Sequence, residues 1–191
     1  MSTVTAPRLM TNAELLAIPE DGMERNLIRG VLKEKPMTRR NRFHSSAEAN
    51  LAYLLNEWRH RQPLPRGVVL SGEAGVYLSR DPDTTFGIDV AYISAETAAT
   101  QTDDSPMALV EGVPILAVEI LSPNDTVEEI NDKIDAYIAA GVKQVWIVDP
   151  HFRTVYVHRP GQKTEFYTDD EDLTAEPDLP GFRVRVASLF E

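Results

Sequence analysis

The stretch ILAVEILSP, residues 115–123, sets Ile, Leu, Ala and Val in an almost unbroken run closed by Pro, with one carboxylate, Glu119, in its middle. Such a run reads as a strand buried on both faces, and it therefore needs a layer of structure on each side. An ionised carboxylate is costly to bury alone. Glu119 must neutralise, pair with a cation or bind a metal.

The surrounding text supplies the layers. TNAELLAIP reads as a short helix capped by Thr11 or Asn12 and stopped by Pro19. ERNLIRGVLKEKP, with Gly30 between two apolar runs, suggests a hairpin or a bulged strand. From His44 to Arg61 the period is helical, with His44, Glu48, Leu51, Leu55 and Trp58 on one stripe. GVVLSGEAGVYL offers two short strands around Gly72, and DPDTTFG a turn-rich loop. In IDVAYIS strict alternation sets Asp89, Ala91 and Ile93 on one side and Ile88, Val90 and Tyr92 on the other. The stretch from Ala95 to Pro106 reads as a loop or short helix. After SPNDT, Thr126 and Glu129 form a capping box and Gly141 a stop. The helix between them turns Val127, Ile130, Ile134, Tyr137 and Ile138 inward. QVWIVDP and RTVYVHRP look like hairpin partners, and LPGFRVRVASLF like a strand and a short helix. This order marks an α/β (α+β) sandwich in which helices flank a mixed sheet.

Composition narrows the chemistry. The 191 residues, 42% of them hydrophobic, suit one domain over residues 1–191, with the first helix and hairpin as an N-terminal extension. There is no cysteine, which excludes disulfides, thiolate zinc sites and Cys nucleophiles. MSTVTAPRLM has no apolar signal core and no stretch is long enough to span a membrane, so a cytoplasmic protein is expected. A net charge of −11 argues against tight non-specific nucleic-acid binding. Two basic stretches, MTRRNRFH and EWRHRQPLPR, stand against that background as solvated surface or a phosphate track.

Three residues form a candidate constellation. Asp89 follows a turn into a strand, Glu119 lies mid-strand, and Lys133 sits on the shoulder of the next helix beside Tyr137. Two carboxylates on adjacent strands can share Mg²⁺ or Mn²⁺, since hard cations take oxygen ligands. A lysine beside them can orient water or steady charge on a phosphate. Each residue also has a plain reading: Asp89 as a turn cap, Glu119 in an ion pair, Lys133 as a solvated helix lysine.

The ordered text GIDVAYIS … VPILAVEILSPNDTVEEINDKIDAYIAAGVKQVWIVDP resembles the Uma-two family of restriction endonuclease-like proteins, within the PD-(D/E)XK nuclease superfamily. The likeness runs from ERNLIRGVL to GFRVRVASLF. It implies a restriction-endonuclease-like mixed sheet flanked by helices and a two-carboxylate metal site. Carried over, Asp89 matches the motif Asp and Glu119 the motif Glu. Lys133 takes the place of the lysine that an E-x-K text would put at Leu121. Glu24, His44 and Glu73 match further family positions; His44 reads either as a hydrogen-bonded core histidine, with Glu48 or Glu24 as its partner, or as support for the metal carboxylates, a role open also to Glu24 and Glu73. Two departures stand out: Ile88 replaces a proline, and Phe86 stands where a basic residue is frequent.

The resulting expectation is a Mg²⁺- or Mn²⁺-dependent endonuclease acting on DNA. Asp89, Glu119 and the main-chain carbonyl of Ile120 would hold the metal, and Lys133 would serve the chemistry. A homodimer would suit cutting of both strands. The alternative is a nuclease-like scaffold, without activity, that binds nucleic acid or a protein.

Overall fold

The computed structural model describes residues 8–37, 39–101 and 109–191. α1 (Asn12–Leu16) starts at Thr11, where Thr11 and Glu14 complete a capping box. β1 (Met23–Ile28) and β2 (Val31–Pro36) form an antiparallel hairpin. Its turn residues Arg29 and Gly30 both have positive φ, 50° and 76°. That is the turn whose twist matches the flanking strands, and Gly adopts it without strain. The hairpin joins the main sheet, where Leu27 of β1 pairs with Thr85.

α2 (Arg42–Arg61) is capped by the Asn41 side chain, which accepts from the amides of Phe43 and His44. It buries His44, Ala47, Leu51, Leu55 and Trp58. Glu48, expected on that stripe, is only half-buried, and its carboxylate accepts the Gly72 amide at 2.6 Å.

The sequence between Pro65 and Ser79 makes one strand, not two. β3 (Val68–Ser79) continues through Gly72 by means of a bulge. Gly72 and Glu73 have φ of 85° and 55°, so the chain kinks without leaving the sheet. Its partner β4 (Thr84–Ile93) also begins earlier than DPDTTFG suggests, since Thr84, Thr85 and Phe86 already pair with β3. Strict alternation in β4 fails at Asp89. Val90 and Tyr92 join the core under α2, whereas Ile88 and Ala91 share the opposite core. The phase slip lies across from the β3 bulge, where two residues oppose one.

α3 (Ala95–Ala99) is a short helix capped by Ser94; residues 102–106 of the stretch read as loop or helix lie outside the described residues. β5 (Val110–Glu111) pairs parallel with β3. β6 (Leu116–Ile120) is buried at every position and lies between β4 and β7 (Gln144–Asp149). α4 (Val127–Ala140) connects β6 to β7 and ends at Gly141. Its inward stripe starts later than expected: Val127, the first residue of the helix, is 79% exposed. Tyr137 is fully buried, and Ile130, Ile134 and Ile138 pack beside it. β8 (Thr154–His158) pairs with β7, and β9 (Glu165–Tyr167) with β8. β10 (Asp172–Thr174) and β11 (Arg183–Arg185) make a second small sheet, followed by a 3-10 turn at Val186–Phe190.

The main sheet runs β2-β1-β4-β6-β7-β8-β9, with β3 and β5 attached through β4. One face packs on α2 and the C-terminal segment through Leu51, Leu55, Trp58, Val118, Trp146 and Phe182. The other packs on α4 through Phe86, Ala117, Tyr137, Val145 and Ile147. Burial of these apolar faces, at roughly 25 cal/mol per Å², is what holds the three layers together. No helix among the described residues is long and apolar enough to cross a membrane.

Candidate active site

A fork in the sheet creates the site. β3 pairs along one edge of β4, so β1 and β6 must share the other. β1 reaches only Thr85 and β6 begins at Val90, which leaves Phe86 to Asp89 without a strand on that edge. Side chains fill the hydrogen-bonding gap. The Gly87 amide donates to Asn26 Oδ1 at 3.2 Å, and the Ile120 amide donates to Asp89 Oδ2 at 2.7 Å. Buried main-chain donors need such partners. Continuing the register Val90↔Val118 by one step sets Asp89 opposite Glu119.

Glu119 is 4% exposed and faces α4. One oxygen accepts from Lys133 Nζ at 2.7 Å and the other from the Tyr137 hydroxyl at 2.5 Å. Residues 133 and 137 are four apart and share one helix face, so a single helix supplies both donors. Burial pushes the Glu119 carboxyl above its ordinary value, and Asp89 adds to the rise against the pull of Lys133. Burial of Lys133 opposes its charge, but Glu119, then Asp89 and Glu24, outweigh it and raise its pKa. Burial and the neighbouring Glu119 push the Tyr137 hydroxyl far up, which keeps it a donor.

Asp89 is equally buried. Burial alone would raise its carboxyl, yet His44, the Ile120 amide and Lys133 outweigh that and lower it. His44 Nε2 lies 3.3 Å from Asp89 Oδ2, and Nδ1 lies 3.9 Å from Glu48. Neither contact has hydrogen-bond geometry, so both ring nitrogens of this buried histidine lack a hydrogen-bond partner among the described residues.

Arg40 ties the rim together. Its guanidinium contacts Glu73, lies 3.7 Å from Asp89 and 4.0 Å from Glu24. Lys35 stands 3.8 Å from Glu24 and 2.9 Å from Asp125. Thus Glu24, His44, Glu73, Asp89, Glu119 and Lys133 are brought together from β1, α2, β3, β4, β6 and α4. Sequence reasoning missed Arg40 and Tyr137. Arg40 had a signal, its place in the basic stretch just before the α2 cap. Tyr137 had none, because its spacing assigns it to the apolar stripe, where its ring does pack on Phe86 at 4.9 Å between centroids. Phe86 itself is buried against α4, and positive charge reaches the site from Arg40 and Lys35 instead.

The donor set fits a hard divalent cation. Asp89 and Glu119 offer carboxylate oxygens, each with a second lone pair beyond the hydrogen bond it accepts. Among the described residues, however, no three His, Asp or Glu side chains close into a metal-binding group, so any third ligand must come from the main chain or solvent. The main chain of Ile120 lies beside the pair, its amide bonded to Asp89.

A family model described as "Uma2: Putative restriction endonuclease" matches residues 13–187. The chain belongs to the Uma2 family. A crystal structure titled as a "putative nuclease belonging to DUF820" from Anabaena variabilis has the same fold, with a TM-score of 0.76. It is 22% identical, over 95% of this chain and 97% of that one. No functionally curated protein matches the chain. The Uma2 fold is thus a mixed sheet flanked by helices, as the sequence resemblance implied.

Tyr137→Phe separates packing from hydrogen bonding at this site. The ring contact with Phe86 survives while Glu119 loses a buried donor. A loss of about 1–3 kcal/mol is expected in urea unfolding. A variant as stable as the parent would mean the hydroxyl contributes nothing to holding Glu119.

Proposed function

We propose that this Uma2 chain is a divalent-metal-dependent endonuclease that hydrolyses phosphodiester bonds in DNA, the whole chain acting as one nuclease domain. The observation that carries this reading is the opposed pair Asp89 and Glu119 at the sheet fork, with the Lys133 ammonium held on Glu119. Asp89 and Glu119, with the Ile120 carbonyl, would hold Mg²⁺ or Mn²⁺. Such an ion supplies a polarised phosphate and a more acidic water.

The chain's own groups do the rest. Lys133 carries a fixed positive charge in a buried setting, where it steadies charge gathering on the phosphate oxygens or orients the incoming water. The Ile120 amide holds Asp89 in place, and it and the nearby His44 favour the ionised carboxylate against the cost of burial. Arg40 and Lys35 give the phosphate an entry against a molecule of net charge −11. Water adds to phosphorus, one ester oxygen leaves, and the proton lost by water leaves to solvent or to the departing oxygen. Cutting of both strands suits two copies related by a twofold axis.

Nicking of supercoiled plasmid in Mn²⁺ tests the proposal. The parent protein should open the circle, while Asp89→Asn and Lys133→Met, prepared identically, should not within the same time. Equal nicking by all three would assign the activity elsewhere.

A further inference from the structure

A groove of about 1080 Å³ lies between the start of α2, the segment after β6 and the β7–β8 turn, and the catalytic reading above does not use it. Leu121 and Ser122 line it immediately after Glu119 and Ile120. One side carries Arg42 and Phe43 from the first turn of α2, and the other carries Phe152 and Arg153 from the β7–β8 turn. Phe43 is 57% exposed and Phe152 is 72% exposed, an unusual placement for two large rings in one groove. Arg42 lies over the Phe43 ring at 4.5 Å, and Arg153 over Phe190 at 5.2 Å. The groove's one carboxylate, Asp149, is turned back on its own loop, where it accepts from the His151 and Phe152 amides.

We propose that this groove binds unpaired nucleotides of the substrate strand, so that the enzyme acts on DNA with single-stranded character next to the cut. Exposed rings beside arginines form the arrangement that stacks bases while neutralising the backbone. Charge complementarity favours this occupant over an apolar one. Arg42 faces the groove without an ion pair among the described residues, Arg153 is paired with Asp169 at 3.0 Å, and the groove's acidic group is committed to the turn. Position in the chain agrees, because Leu121 and Ser122, which line the groove, directly follow Glu119 and Ile120. A base pair cannot present its faces to Phe43 and Phe152, whereas an unpaired base can. The placement of the scissile phosphate rests on the nuclease reading; the groove's preference does not.

The test is binding of a fluorescein-labelled single-stranded oligodeoxynucleotide, and of its blunt duplex, to the full chain in EDTA, where no metal-dependent cutting occurs. Single-strand binding should exceed duplex binding. Phe43→Ala and Phe152→Ala should each weaken it about tenfold, in line with the loss of one stacked base. Arg42→Gln should weaken it and flatten its salt dependence. Tyr53→Ala, which removes a ring 65% exposed outside the groove, should leave it unchanged. Both phenylalanines are exposed, so these variants keep the fold, as circular dichroism would check.

Parental affinity in both Phe variants overturns the proposal, as does equal affinity for the duplex. Failure to bind single strands, with self-association that depends on Phe43 and Phe152, would make the groove an interface between copies instead. Nicking by the parent together with parental binding by both variants would remove the groove alone. Groove-dependent single-strand binding without nicking by any protein would support the groove and remove the nuclease reading.

Discussion

Asp89→Asn is expected to abolish the Mn²⁺-dependent rise in thermal stability and to lower DNA nicking by about 10²-fold or more. The side chain keeps its size, and its amide oxygen still accepts from the Ile120 main chain, so the β4–β6 fork should stay closed. What disappears is one of the two negative charges at the fork. In the parent, a cation bound only by the native state at 100 times its dissociation constant adds about 2.7 kcal/mol. For a chain of this length that is a rise of roughly 5–10 °C in the melting temperature. The effect has a pH sign. Burial and Asp89 raise the Glu119 carboxyl above its ordinary value, so a cation must displace a proton there at acid pH. Stabilisation by Mn²⁺ should therefore grow as pH rises above the ordinary carboxylate range. Scanning calorimetry of both proteins at several Mn²⁺ concentrations measures all of this. A parent-sized rise in Asp89→Asn would place the cation elsewhere.

Lys133→Met is expected to cost activity and also stability, with the stability loss depending on pH. The methionine retains the apolar stem, but Glu119 loses its ammonium partner at 2.7 Å. Breaking a buried pair leaves a charge without compensation, on the order of 3 kcal/mol where Glu119 stays ionised. Without Lys133 the Glu119 carboxyl rises further above its unfolded value. The folded state then binds the proton more tightly than the unfolded state does. The variant is thus closest to the parent at acid pH and loses stability as pH climbs through the raised value. Urea unfolding at pH 5 and pH 8 reads the difference. Nicking at pH 8 should fall by about 10²-fold or more, since no other ammonium is paired with Glu119 among the described residues. An unfolding difference that is the same at both pH values would show that Lys133 and Glu119 are not coupled.

Much of this site was legible because its members sit in local patterns. Glu119 interrupts an apolar run, and the capping box at Thr126 fixes the phase of α4, which sets Lys133 on the shoulder that reaches back to the strand. The fork was not legible. It depends on where β1 stops and β6 starts along one edge of β4, a matter of pairing between segments far apart in sequence. The β3 bulge was hidden for a related reason. Gly72 looks like a strand break, and only the partner strand reveals that the chain passes through it and leaves Asp89 opposite two residues. Arg40 could be read as basic surface, but its bridging of Glu24, Glu73 and Asp89 exists only after β1, β3 and β4 converge. Val127 departs in the other direction, an apolar residue in phase with the stripe yet exposed at the first position of the helix.

The most direct measurement is anomalous diffraction from crystals of the full chain soaked in Mn²⁺. A single anomalous peak between the Asp89 and Glu119 carboxylates, within ligand distance of the Ile120 carbonyl, is the predicted result. Density for Lys133 and Tyr137 still on Glu119 with no peak at the fork, in crystals that bind Mn²⁺ elsewhere, would contradict it.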